Sequence, residues 1–459
     1  MLFRKAIRKI EYWFKNSSSA LLVDGARQIG KTFLIRHFLK KYCDSFVEFN
    51  LIENAQIKQI IETSNDAQEI IARIKLVSGK KLIEGKTVIF FDEVQESKEL
   101  VTKIKFLVDE GSFKYILSGS LLGVELQDIR SFPVGYLEEI TMYPLDFEEF
   151  MIANNIDIKV IDYLKKSYEN RSSVDPLVHE QIMKLFNLYL FVGGLPQVVN
   201  EFINGGNLEN VHRVHSAINN LYMKDVGKYD FEHRLLIHDI YALIPSELSN
   251  QNKRFILKSM NQKARFYNYE ESFVWLNKSN VGLFAYNVDN PVYPLLASKQ
   301  RTLFKLFYCD IGLLSYHLYS DMVKELFANE IKSNFGAIYE SFVAQELKAH
   351  GFDLFYFNNK KIGEIDFIIQ KGSSIIPLEV KSGKDYKRHS ATNNLLKVSD
   401  FNINEVIVFN NNHLIETIEV NDKKIVYMPI YLVMFMESKI EFGHIEITLD
   451  KEKLNQMFN

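Results

Sequence analysis

The chain is short of the residues that mark secreted, fibrous and membrane proteins. Two cysteines among 459 residues, Cys43 and Cys309, exclude a disulfide framework and carry no metal spacing, so a reducing compartment and a cytoplasmic location are expected. No run approaches the ~18 consecutive apolar residues of a spanning helix. Met1-Leu2-Phe3-Arg4-Lys5 leads into Ala6 to Phe14 with charges interleaved, so neither a signal peptide nor a membrane partner is expected. Net charge is also scarce: 55 basic against 58 acidic side chains leave −3, which excludes a whole-molecule polyanion signature and restricts nucleic-acid binding to local basic patches. There is no internal repeat and no low-complexity tract. The 11 histidines show no ligand spacing; His212 and His215, three apart on an expected helix, have no third ligand nearby.

What is present is globular. A 47% hydrophobic and 25% charged composition suits sizeable cores, and the length suggests about three domains. Gly25-Ala26-Arg27-Gln28-Ile29-Gly30-Lys31-Thr32 matches GxxxxGK[ST] between an apolar run, Ala20 to Val23, and a helix-patterned segment. A phosphate-wrapping turn needs backbone N–H groups pointing inward, and Gly25 and Gly30 supply that freedom around Arg27, Gln28 and Ile29. Lys31 is placed to reach the outer phosphates and the Thr32 hydroxyl to take Mg²⁺, with the helix from Thr32 to about Cys43 aiming its positive end at the anion. The expected ligands are ATP or GTP, ATP preferred, and Mg²⁺.

From Ala20 to about Leu145, strand-like runs at Leu21–Val23, Phe46–Asn50, Thr87–Phe91, Tyr115–Leu117 and Leu137–Met142 alternate with helical patterns, which predicts a parallel sheet covered by helices. Val88-Ile89-Phe90-Phe91-Asp92-Glu93 ends such a strand in two carboxylates. Asp92 is expected to hold Mg²⁺ through water and Glu93 to orient and deprotonate the attacking water. Ser118 and Ser120, at the next strand end, are candidate γ-phosphate sensors, though turn serines satisfying backbone would look the same. Pro144-Leu145-Asp146-Phe147 opens a helical stretch in which Asp146 is a candidate cap. Gly193-Gly194-Leu195-Pro196 breaks that stretch.

The order of GARQIGKT, IFFDEVQ, ILSGS, PVGYLEEITMYPLDFEEF, GGLP and FKLFYCDIGLL resembles prokaryotic AAA-type ATPases fused to a C-terminal domain of unknown function. The resemblance spans essentially the whole chain. It implies an α/β multidomain protein: a P-loop (ASCE/AAA-type) core over 1–148, a helical lid over 149–230, a winged helix-turn-helix over 231–322 and a restriction-endonuclease-like domain over 323–459. It also implies a capacity to oligomerise. One departure stands out: after Pro133-Val134-Gly135, relatives often carry a basic residue where this chain has Tyr136, leaving nearby Arg130 as a substitute arginine finger or as a solvated surface arginine.

A second constellation comprises Glu340, Asp366, Glu379 and Lys381. Asp366 enters one strand, Ile365–Ile369, and Glu379 lies on the next, where period-two alternation sets it on one face with Lys381. Hard oxygen ligands suit Mg²⁺, with Glu340 supplied from the preceding helix and Lys381 orienting the nucleophile. The pattern resembles the D…ExK core of restriction-endonuclease-like nucleases, with Ile365 in place of a proline; alternating charges on a solvated strand face would read alike.

Lys360, Lys361, Lys371, Lys384, Lys387 and Arg388 flank those acids. In the winged-helix segment, Lys253, Arg254, Lys258, Lys263, Arg265 and Lys278 interleave with Phe255, Phe266, Tyr267 and Trp275 around an expected recognition helix, Glu270–Lys278. Glu270 and Glu271 at its start would repel phosphates, so DNA and a protein partner both remain open there. The preferred reading is an ATP-hydrolysing switch whose nucleotide state controls a nuclease-like domain acting on DNA. Its rival is an ATP-regulated binding and assembly module with an inactive nuclease-like scaffold.

Overall fold

A computed structural model describes residues 2–120, 133–225, 231–250, 252–260, 262, 265–318, 335–383 and 385–438. Five parallel strands, β1 (Ala20–Asp24), β2 (Ser45–Asn50), β3 (Thr87–Asp92), β4 (Lys114–Ser118) and β5 (Leu137–Thr141), form a sheet ordered β2-β3-β4-β1-β5. β1 and β3 are buried throughout, and their period-two alternation feeds two cores. Leu21, Val23, Val88 and Phe90 pack on one face, while Ala20, Leu22, Ile89 and Phe91 pack on the other. All five expected strands are present. Because β4 lies between β1 and β3, three strand ends stand side by side beside the glycine-rich loop.

The expected lid is helical: Phe147–Ala153, Ile158–Asn170, Pro176–Val192, Pro196–Gly205 and Leu208–Asp225. Asp146 caps the first of these in a reciprocal capping box with Glu149, and the expected 148/149 boundary falls inside that helix. Next come the helix Phe231–Ser249, the helix Glu270–Lys278 and a hairpin of β6 (Gly282–Val288) and β7 (Lys299–Tyr308).

The hairpin departs from the expected free wing. It is the end of an eight-stranded mixed sheet with β8 (Phe355–Asn359), β9 (Gly363–Lys371), β10 (Ser374–Val380), β11 (Glu405–Asn410), β12 (Glu416–Val420) and β13 (Lys423–Pro429), ordered β12-β13-β11-β10-β9-β8-β6-β7. β6 pairs in parallel with β8, matching Tyr286 to Phe355, so the expected 322/323 boundary divides strands of one sheet. The helix Gly336–Ala349 covers this sheet, buried from Ala337 to Leu347. A single apolar core runs from Ile10 through the lid and the hairpin to Met436. Among the described residues, no helix is long and apolar enough to cross a membrane.

Candidate functional site

The loop after β1 turns on two glycines. Gly25 has φ +141° and a Cβ there would stand 2.3 Å from the Met142 carbonyl oxygen, while Gly30, φ +87°, starts the helix Lys31–Tyr42. Gln28 is also left-handed, at φ +64°. Buried Ile29 anchors the loop, its carbonyl accepting from Arg4 Nη1 at 2.8 Å. Lys31 Nζ donates to the carbonyls of Gly25 and Ala26, each at 2.8 Å. Burial pushes the Lys31 ammonium down to about 8, against the pull of Asp24, Glu93 and Asp92.

Hydroxyls from two elements converge on Asp92. Thr32 Oγ1 lies 3.0 Å from Asp92 Oδ2, and Ser118, opposite Asp92 in the β3–β4 register, donates to Oδ1. Burial raises the Asp92 carboxyl, and Ser118 opposes that shift. Glu93 takes a left-handed φ of +58° and bonds Gln95 Nε2, half-buried beside the loop. The two sensor candidates separate: Ser118 meets Asp92, whereas Ser120 Oγ accepts from Arg27 Nε at 3.1 Å, and Arg27 Nη1 pairs at 2.6 Å with Asp225, the last residue of the helix Leu208–Asp225. Arg130 lies outside the described residues. Tyr136 spends its backbone on a turn, its carbonyl accepting from Ala20.

Two residues at this site escaped sequence reasoning. Arg4 Nε also pairs with Glu149 at 3.0 Å, joining the loop to the capping box of the helix Phe147–Ala153. Asp24, buried at the end of β1, accepts from Asn280 just before β6. The capping-box pattern Asp146-x-x-Glu149 is readable as a helix start but points to no arginine partner, and nothing in the sequence signalled Asp24.

The Gly193-Gly194 break proves to be a packing junction. Gly194 N donates to Asp310 Oδ2 at 2.6 Å and its carbonyl accepts from Leu145 N at 2.7 Å. A Cβ on Gly194 would sit 2.0 Å from the Leu145 carbonyl oxygen, so the motifs PLD, GGLP and CDIG interlock.

In the C-terminal sheet the expected residues do gather, but with lysines among them. Glu340, 1% exposed, pairs with Lys253 and with Lys305 Nζ at 3.2 Å. Lys305, 0% exposed on β7, also reaches Glu364 at 2.8 Å and Asp366 at 4.0 Å. Lys381 and Glu379 share a face as expected, Nζ to Oε2 at 3.0 Å. Burial raises the carboxyls of Glu340 and Asp366, and mutual acid repulsion adds to it while the lysines oppose. Among the described residues no three acidic, histidine or cysteine groups are arranged to hold a metal. In the expected ligand set Glu340, Asp366 and Glu379 the acids already face ammonium groups: Lys305 lies against Glu340 and Asp366, Lys253 against Glu340, and Lys381 against Glu379.

The basic patch of the segment expected to be a winged helix is partly internal. Lys253 serves Glu340, and Phe255, Phe273 and Trp275 are buried, with Phe266 stacked on Phe273 at 5.7 Å, so these rings build a core instead of an open stacking platform. Lys387 pairs with Glu416 at 2.6 Å; Lys263 and Lys384 lie outside the described residues. His215, expected at the surface, is buried with Nε2 3.1 Å from the Val192 carbonyl oxygen, and half-buried His212 stands against the Tyr316 ring.

Residues 17–151 match the family model described as an AAA domain. Match, sheet and loop together support an AAA-type ATPase domain. Residues 183–323 and 335–432 match two families described as domains of unknown function. An uncharacterized protein of Haemophilus influenzae is 22% identical over 92% of this chain and 96% of its own. Among solved structures, a Walker-type ATPase of Pyrococcus abyssi overlaps 69% of this chain and 96% of its own at 17% identity and a TM-score of 0.43. The Aeropyrum pernix Orc1 protein, in complex with DNA, overlaps 71% of this chain and 94% of its own at 14% identity and a TM-score of 0.30. Neither overlap bears on what this chain does.

Proposed function

We propose that the chain is an ATP-hydrolysing AAA-type switch. The observation that carries this reading is the meeting of Thr32 and Ser118 on Asp92 at adjoining strand ends, beside a loop closed by Lys31. The hard oxygens of Thr32 and Asp92 fit Mg²⁺, which when bound neutralises phosphate charge. Gly25 through Gly30 wrap the phosphates with backbone N–H groups, and Lys31 holds the β- and γ-phosphates. Glu93 orients water and takes its proton as the water oxygen bonds the γ-phosphorus and ADP leaves. Arg27 and Ser120 link that loop to Asp225 in the lid. A cavity of about 610 Å³ lined by Gln28, Gly30, Phe33, Pro196 and Gln197 suits the nucleoside half.

The nucleotide state reaches the C-terminal sheet through Asn280 and through Arg4 and Glu149, and DNA is the favoured partner of that nuclease-like domain, with a protein partner or self-assembly as the rival. Lys305 favours the second reading for the C-terminal half: a scaffold that recognises or assembles without cutting. A reducing, cytoplasmic setting suits the free thiols of Cys43 and Cys309.

The test compares Lys31→Ala with Glu93→Gln. Lys31→Ala loses both ATP binding and turnover, whereas Glu93→Gln binds ATP and stalls. Equal retention of radiolabelled ATP by the two on a filter would refute the assignment of Lys31 to the phosphates. Supercoiled DNA incubated with Mg²⁺ and ATP separates the readings of the C-terminal half, since nicking lost in Asp366→Ala would exclude the scaffold.

A further inference from the structure

Lys305 stands in the buried half of β7, away from the exposed start of the strand. Its neighbours Phe304, Leu306, Phe307 and Tyr308 are buried, and it pairs opposite Ala285 in β6. A desolvated ammonium in such a strand is costly unless acids surround it. Glu340, Glu364 and Asp366 do so, at 3.2, 2.8 and 4.0 Å. Burial works against the charge, yet these three acids together push the Lys305 pKa up, so the ion is held as an ammonium.

The remaining oxygens are engaged as well. Asp366 Oδ2 accepts from Val380 N at 2.8 Å, Glu379 Oε1 from Thr392 Oγ1 at 3.2 Å and Glu364 Oε2 from Asn358 Nδ2 at 2.6 Å. Lys253 on Glu340 and Lys381 on Glu379 bring two more positive charges. A divalent cation entering this cluster would meet three ammonium groups and carboxylates already satisfied, and in a site of low dielectric that repulsion is strong.

We propose that Lys305 is the resident cation of the C-terminal acid cluster, holding Glu340, Glu364 and Asp366 together in the way a divalent metal would and thereby keeping Mg²⁺ and Mn²⁺ out. The inference deepens the scaffold reading of this half and rests on it, but involves no residue of the phosphate loop. It makes the cluster self-neutralised, so its order does not depend on metal supply. Removing the ammonium while keeping the side-chain volume, as in Lys305→Met, turns the same acids into a metal site.

The experiment titrates the nucleotide-free full chain with Mn²⁺ and reads free Mn²⁺ by electron paramagnetic resonance. Wild type and Asp366→Asn are expected to give coincident isotherms, and Lys305→Met to gain a site that the double variant with Asp366→Asn loses. Mn²⁺ bound by wild type and lost in Asp366→Asn overturns both this proposal and the scaffold reading. Coincident isotherms with no gain in Lys305→Met overturn the proposal alone. If Lys305→Met is unfolded in metal-free buffer, recovery of its circular dichroism on adding Mn²⁺ is the expected gain, and failure to recover counts against the proposal.

Discussion

Asn280 donates from Nδ2 to Oδ2 of Asp24 across 2.9 Å, fastening the turn before β6 to the last residue of β1. The strand that feeds the phosphate loop and the hairpin that carries Lys305 are thereby joined through one amide. Asn280 has φ +57°, a conformation that asparagine tolerates and alanine resists. Asn280→Gly keeps the backbone and loses the hydrogen bond, at about 1–2 kcal/mol. Asn280→Ala adds about 1 kcal/mol of backbone strain. Denaturant unfolding should rank wild type above glycine and glycine above alanine; equal glycine and wild-type midpoints would show that the bond contributes nothing.

Lys31 gives nucleotide binding a pH dependence of definite sign. Burial holds its ammonium down at about 8 in the nucleotide-free protein, and the protonated form is the one that meets phosphate. ATP affinity should therefore be level below pH 8 and fall as pH rises through and beyond it, by up to ~10-fold per unit. Lys31→Arg keeps its charge and should bind with a flat profile between pH 7 and 9. A wild-type profile equally flat would remove Lys31 from the binding step.

Gly194 and Gly206 make a matched pair for testing close packing. Gly194→Ala drives a Cβ to 2.0 Å from the Leu145 carbonyl oxygen, whereas Gly206, φ +60°, has nothing within 4 Å of such an atom. Gly194→Ala should cost ~3 kcal/mol or more through forced backbone movement, and Gly206→Ala about 1 kcal/mol from φ alone. Thermal melts of the two decide it, and comparable losses would deny the junction its special packing.

Asp310, wholly buried where GGLP meets CDIG, is pushed up to about 7 by burial against the N–H groups of Gly194, Leu313 and Gly312. Between the ordinary aspartate range and pH 7 the folded chain keeps a proton that the unfolded chain releases. Stability from this group therefore falls as pH rises through that window and is level above it. Asp310→Asn should flatten the slope of unfolding free energy between pH 4.5 and 7, measured by urea titration; an unchanged slope would assign it to other groups.

The parallel sheet was legible because β1 and β3 are continuous apolar runs ending in residues of special chemistry, Gly25 beyond one and Asp92-Glu93 at the other. The C-terminal acids were legible by period and spacing, as Glu379 and Lys381 show. Lys305 was not, since its partners Glu340, Glu364 and Asp366 lie on other elements, far from it in sequence. β12 was missed for a plainer reason: Glu416–Val420 is an exposed edge with charges where a buried strand has valine or isoleucine. Arg4, through Glu149 and the Ile29 carbonyl, and Asn280, through Asp24, act by bonds between residues far apart in sequence, which leave no periodic trace.

The pairing of β6 with β8 bears on how this protein can be dissected. A fragment beginning at residue 323 would leave the β8 edge without its two outer strands, and would carry Glu340, Glu364 and Asp366 without Lys253 and Lys305. Such a piece presents an open template for strand addition and a cluster of unmatched acids, so its aggregation or its thirst for metal would be properties of the cut, not of the parent. The smallest honest unit for studying the C-terminal half begins ahead of Lys253, and cloning at the limits of its family match would manufacture a different molecule.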